Sequence, residues 1–202
     1  KSFVEVFDMT RQEVLNNIRY NENLVNSYSS TLRSLNNKIN DLNGQIRQYT
    51  SQSDQLRSEV RSHESEISDL SQLKNKYKTL QARFANRQIL RRNIFNRGFS
   101  QNLNVKFINS YVGGMKNMLN GSEYNNAYNG ISTAMNSISQ KVNQIQQQVN
   151  SLNQEIRSNG NRIDSNQQAI SSYQRQIASV NSNLSYRRQR ITYWKRQLAY
   201  AT

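Results

Sequence analysis

Apolar side chains recur along the second half of this chain at alternating steps of three and four. The series runs Met135, Ile138, Val142, Ile145, Val149, Leu152, Ile156, Asn159, Ile163, Asn166, Ile170, Tyr173, Ile177, Val180, Leu184, Arg187, Ile191, Trp194, Leu198 and Ala201, with Asn159, Asn166 and Arg187 as its strongly polar members. Between them stand mostly Asn, Gln and Ser, so a stretch such as VNQIQQQVNSLNQEIRSNGNRID would pass for a low-complexity linker on composition alone. A rhythm held over this many turns marks an amphipathic helix with a coiled-coil seam, and the polar residues are its solvent faces.

The first half carries the same pattern. Val25, Tyr28, Leu32, Leu35, Ile39, Leu42, Ile46, Tyr49, Ser53, Leu56, Val60, His63, Ile67 and Leu70 keep one register. It extends backwards through Ile18, Val14, Phe7 and Val4, with Asn21 and Arg11 as interruptions. Beyond Leu70 the apolar positions slip to Leu73, Tyr77, Leu80 and Phe84, which predicts a three-residue stammer that overwinds the supercoil. Gly44 and Gly160 fall inside the helices but off the seam, where each costs about 1 kcal/mol against Ala.

Between the rods the texture changes. LRRNIFNRG reads as a helix end, with Gly98 as a left-handed stop. Ser100 then offers a cap for a short helix carrying Leu103, Phe107, Ile108, Tyr111 and Val112, which Gly113-Gly114 interrupts, and Ser122 offers a start for the second long helix. The expected organisation is a long helix over 1–97, a glycine-punctuated helical head over 98–130 and a second long helix over 131–202.

Two such helices pair with each other or with other chains. Val25, Leu32, Ile39, Ile46, Val60 and Ile67 at one core position, with Leu35, Leu42, Leu56 and Leu70 at the other, suit parallel two-stranded coils. The connector opposes that choice, because it holds the second helix at millimolar effective concentration. The expected fold is therefore all-α and elongated, an antiparallel coiled-coil hairpin with a small head that can dimerise or build a four-helix array. One heptad-compatible register sets Ser53 opposite Asn166, Val60 opposite Asn159, Leu32 opposite Arg187 and Val25 opposite Trp194; shifts of seven residues are equally allowed.

Composition agrees with a thin rod. The hydrophobic fraction of 35% and mean hydropathy of −0.90 leave little for a globular core, and proline, the helix breaker, is absent from all 202 residues. There is no cysteine, which removes thiolate chemistry and disulfides. No apolar run approaches a membrane span and no signal-peptide pattern opens the chain; KSFVEVFDMT, without an initiator Met, fits a processed mature protein or a trimmed chain.

The net charge of +14 points to polyanions such as nucleic acid or acidic glycans. Two basic clusters would carry such binding: Arg83, Arg87, Arg91, Arg92 and Arg97 near the head, and Arg187, Arg188, Arg190, Lys195 and Arg196 among Tyr186, Tyr193 and Trp194. Arg beside aromatics grips phosphates and bases, but it serves equally in cation–π contacts between protein segments.

The chemistry of a catalyst is missing. Ser53, His63, Asn159 and Asn166 fall on the seam, where polar residues usually set register. His63 has no second histidine for a metal site; protonation of a seam imidazole would strain the interface, which makes a pH switch the minor reading. Glu59, Glu64, Glu66 and Asp69 crowd one stretch of open rod and read as a solvated face. Neither a phosphate loop, an HExxH zinc motif nor a GxSxG nucleophile is present.

The expectation is a non-enzymatic coiled-coil building block or spacer, without cofactor or metal, that acts through contacts with itself or other coiled coils. Its Asn-, Gln-, Ser- and Tyr-rich composition resembles secreted structural materials, and the sequons at Asn120 and Asn183 are compatible with export. One alternative is a polyanion-binding or bridging rod. Another is a membrane-active toxin using Phe99, Leu103, Phe107, Val112, Met115, Met118 and Leu119 of the head. No family resemblance reaches motif level.

Overall fold

The computed structural model of the chain describes residues 10–98, 110–115, 117 and 121–200. Helix α1 spans Arg11–Gly98 and helix α2 spans Ser122–Leu198, with a helical segment at 110–115 between them. Among the described residues there is no strand, so the fold is all-α with two long helices packed on each other.

Helix α1 starts where a capping box allows it. Thr10 Oγ1 accepts from the Glu13 amide at 3.4 Å, and the Glu13 carboxylate accepts from the Thr10 amide at 2.9 Å. Two otherwise orphaned donors are thereby satisfied at the TRQE tetrapeptide. Val4 and Phe7, expected to extend the seam, lie outside the described residues. Helix α2 opens at Ser122, within the segment read as the head, with Glu123 in the first turn; Lys195 and Arg196 occupy the last. Both ends carry the charge that the helix dipole favours.

Two expectations about glycine are corrected. Gly113 and Gly114 lie within the helical segment at 110–115 instead of interrupting it. Gly98, read as a stop just beyond the helix, is the last helical residue of α1. The proposed cap at Ser100, with Leu103, Phe107 and Ile108, lies outside the described residues.

Several of the Ser, Thr and Asn side chains bond back to their own helix. Ser29 donates to the Val25 carbonyl at 2.7 Å, Thr50 to Ile46 at 2.8 Å and Ser139 to Met135 at 2.7 Å. In these cases the hydroxyl folds back on the carbonyl of the preceding turn, so its hydrogen bond is made within the helix.

The chain divides into two compact units, Lys1–Asp54 with Arg157–Thr202 and Gln55–Ile156. In the first, Trp194 is 8% exposed and packs with Val14, Ile18 and Leu198. Further along, Arg187 meets Asn21, Lys38 lies over the Tyr173 ring, and Gln45 accepts from Asn166. As positions climb α1 they descend α2, so the segments run antiparallel. Trp194 therefore sits level with Val14 and Ile18 instead of Val25, and Arg187 meets Asn21 instead of facing Leu32. The pairing is displaced by about one heptad from the register that set Ser53 against Asn166.

Side-chain chemistry explains that choice. The earlier register drives a guanidinium against leucine; the observed one lets Arg187 Nη1 donate to Asn21 Oδ1 at 3.3 Å while Asn21 Nδ2 donates to the Asn17 carbonyl at 2.7 Å. Asn21 is 3% exposed, so an unpaired amide there would be costly, by about 1–3 kcal/mol. The two polar interruptions of the pattern satisfy each other. Ser53 and Asn159, both buried, fall at one level in this register.

In the second unit Val60, Ile145 and Val149 form a buried cluster, with Ile67, Leu70, Leu152 and Ile156 packed against it. Ile145 is fully buried. Val60 thus meets apolar neighbours and is not spent on Asn159. Beyond Leu70 the expected stammer does not occur. The contact face keeps its register through Tyr77, Gln81, Phe84, Gln88 and Phe95, all half-buried or buried, with Lys74 and Arg91 as exposed interruptions, while Leu73 and Leu80 are exposed. Gln81 donates to Ser132 Oγ at 2.6 Å, and Phe84 stacks on Tyr124 with ring centroids 4.9 Å apart. Two glutamines on the seam disguised its continuation, and two leucines beside it imitated a shift.

Candidate functional site

Each basic cluster comes from one helical stretch, and the two are used differently. Near the end of α2, Arg187 lies over the rings of Tyr20 and Tyr186 at 5.9 and 5.1 Å, and Arg190 over Tyr193 and Trp194 at 5.0 and 4.9 Å. Tyr193 meets Trp194 edge-on at 5.0 Å. Lys195 reaches Glu22 at 3.5 Å. Three of the five cations predicted at this cluster thus contact other side chains of the chain itself; Arg188 and Arg196 are exposed. An indole flanked by arginine and tyrosine anchors the helix end by packing and by the pull of the ring quadrupole on the cation.

The α1 cluster has the opposite character. Arg83, Arg87, Arg91, Arg92 and Arg97 are all exposed. Arg83, Arg87 and Arg91 follow one another at four-residue steps, about 6 Å apart along the axis, and make a basic row on one side of the helix. Leu73, Leu80, Ile89, Leu90 and Ile94 are exposed over the same turns. Sequence reading assigned Leu73 and Leu80 to the core and so missed this combination of apolar and cationic residues; heptad spacing from Leu73 through Leu80 and Arg87 to Ile94 was the available signal.

The seam polar residues divide in three. Ser53 and Asn159 are buried; Asn166 is half-buried and donates to Gln45 at 3.2 Å. His63 sits on the rim, its Nδ1 3.7 Å from Glu66, whose other oxygen lies 4.0 Å from Lys141.

Asn183 is exposed in α2, and Asn120 lies outside the described residues. Of the head residues considered for membrane contact, Val112 and Met115 are half-buried, and Phe99, Leu103, Phe107, Met118 and Leu119 lie outside the described residues. No helix among the described residues is long and apolar enough to cross a membrane.

A groove of about 410 Å³ in the first unit runs between Ser29 and Leu32 of α1 and Asn181, Leu184, Ser185, Arg188, Gln189 and Thr192 of α2. Its lining offers hydroxyls, amides and one guanidinium, but no carboxylate or imidazole for general acid–base work. Among the described residues no group of three or more His, Asp and Glu side chains is placed to hold a metal ion. No family model matches the chain, and neither a curated protein nor a solved structure does.

Proposed function

We propose that this chain is a non-enzymatic structural building block, a coiled-coil hairpin that assembles through protein–protein contacts. The observation that carries the reading is the incomplete cover of its apolar face. Leu32, Ile39, Leu42, Ile46, Leu56, Ile67, Ile163, Ile170 and Ile177 follow the seam, yet each is only half-buried where α1 and α2 meet. Two helices cannot enclose a stripe of this kind, and a further helical layer completes it in four-helix arrays. The exposed leucines near the end of α1 add uncovered apolar surface. The composition, rich in Asn, Gln, Ser and Tyr and free of cysteine and proline, supports an extracellular setting.

A second reading, polyanion binding, is favoured by the exposed row of Arg83, Arg87 and Arg91. Solution mass over a wide concentration range, with a duplex-binding titration at 50 mM salt as the second arm, separates the two. A building block gives a mass above that of one 23.6 kDa chain and little duplex binding. Strict monomers at every concentration would sink the assembly reading; tight duplex binding that falls steeply with salt would support its rival.

A further inference from the structure

Leu73, Leu80, Leu90 and Ile94 are 42%, 51%, 60% and 72% exposed. With Lys76, Arg83 and Arg87 they complete a second three-and-four repeat on α1. At 100° per residue, this face lies about 100° around the helix from the one that meets α2. The same heptad positions traced toward the start of the second unit hold Glu59, Glu66 and Asp69. One stripe on one helix therefore passes from acidic, through Leu73 and Leu80, to basic. Between Asp69 and Glu123 the chain has no carboxylate side chain, so the basic end is unmixed. Among the described residues Asp69, Lys76, Arg83 and Arg87 make no ion pair within the chain.

We infer that this stripe is a two-fold interface with a second copy of the chain, α1 lying antiparallel on α1 about a centre near Lys78. The inference rests on the assembly reading above and names its surface and its occupant. An antiparallel two-fold contact places each patch against its own reverse, which this charge order satisfies. Asp69 comes level with Arg87 of the second copy, and Glu66 falls close by. Leu80 of each copy lies about 3 Å along the helix from the axis, level with Lys76 of the other copy, and Leu73 comes level with Arg83, so leucines alternate with the apolar stems of the cations across the centre. A parallel pairing would lay acid on acid and base on base. A continuous polyanion fits the basic end but is repelled by Glu59, Glu66 and Asp69. A bilayer surface favours a broad apolar face, and here cations interrupt a narrow row.

Charge reversal tests the pairing, because its two halves must be complementary. Sedimentation equilibrium on the full chain should show a dimer whose dissociation constant rises about ten- to a hundredfold in Asp69→Arg and again in Arg87→Asp, since each puts like charges together twice. An equimolar mixture of these two variants should regain the parent affinity, because both bridges re-form in the mixed dimer. Leu80→Ser should weaken association with no rescue by mixing. All three side chains are exposed, so helicity by circular dichroism should match the parent throughout. Variants that associate as tightly as the parent, or a mixture no tighter than its components, would overturn the interface and leave assembly by another surface standing. A parent chain that remains monomeric overturns both. Binding to a nucleic-acid duplex or to anionic vesicles that Asp69→Arg strengthens, without rescue on mixing, assigns the stripe to a polyanion and also overturns the inference.

Discussion

Trp194 is the one tryptophan of the chain, and it is buried in the core of its unit. It is buried against Val14, Ile18 and Leu198 and flanked by Arg190, so truncation leaves a cavity and removes one of the two rings that Arg190 overlies. Trp194→Ala should destabilise the chain by about 3 kcal/mol, read from urea unfolding followed by circular dichroism. The glycines act in the other direction. Nothing lies within 4 Å of a Cβ built at Gly44 or Gly160, and both keep helical φ. Gly44→Ala and Gly160→Ala should each stabilise by about 0.5–1 kcal/mol, by reducing the freedom of the unfolded chain, with additive shifts in the melting midpoint. Trp194 was legible as a core residue because it falls on the repeat. Its arginine and tyrosine neighbours were legible only as a mixture, since spacing along a helix does not tell whether a cation turns to a ring or to solvent.

At the scale of the element, register is the property that side-chain pairing decides. Heptad phase admits pairings seven residues apart with nearly the same apolar contact, so the few polar positions discriminate among them. Asn21 and Arg187 supply that discrimination in the first unit. Replacing both by leucine should leave stability within about 1 kcal/mol of the parent, because both partners of the hydrogen bond are removed together. The register should nonetheless become mixed. The chain has no cysteine, so introduced pairs report cleanly. Ile39→Cys with Tyr173→Cys marks the observed level, and Ile39→Cys with Val180→Cys marks the level one heptad away. The parent should form only the first disulfide, and the double-leucine chain both; exclusive formation of the first in both backgrounds would show that other contacts hold the register. Helix starts were partly readable: Ser122 was legible as a start of the second long helix, whereas the Thr10–Glu13 box stands beside a pattern that seems to continue through Phe7.

For the molecule as a whole, the balance of charge and cover matters most. A net charge of +14 opposes association of like chains at low salt, while half-covered seams favour it. Added salt should therefore strengthen assembly up to about 0.3 M, where the Debye length falls to roughly 6 Å, before the Asp69–Arg87 contacts weaken in turn. Light scattering across a salt series would reveal that maximum; a monotonic loss of mass from the lowest salt would mean that attraction between opposite charges dominates throughout.

The periodicity of apolar residues was enough to determine that this chain is helical, that it has two long helices and, as far as Leu70 on the first, which positions line their contact, because a 3.6-residue turn maps sequence spacing directly onto faces. Tertiary structure alone decided the level at which the helices meet and the course of the seam beyond Leu70. A glutamine that bridges to serine and a leucine that faces water reverse the usual meaning of polar and apolar. Which of them turns inward depends on what stands on the other helix, and spacing along one strand of sequence does not carry that information.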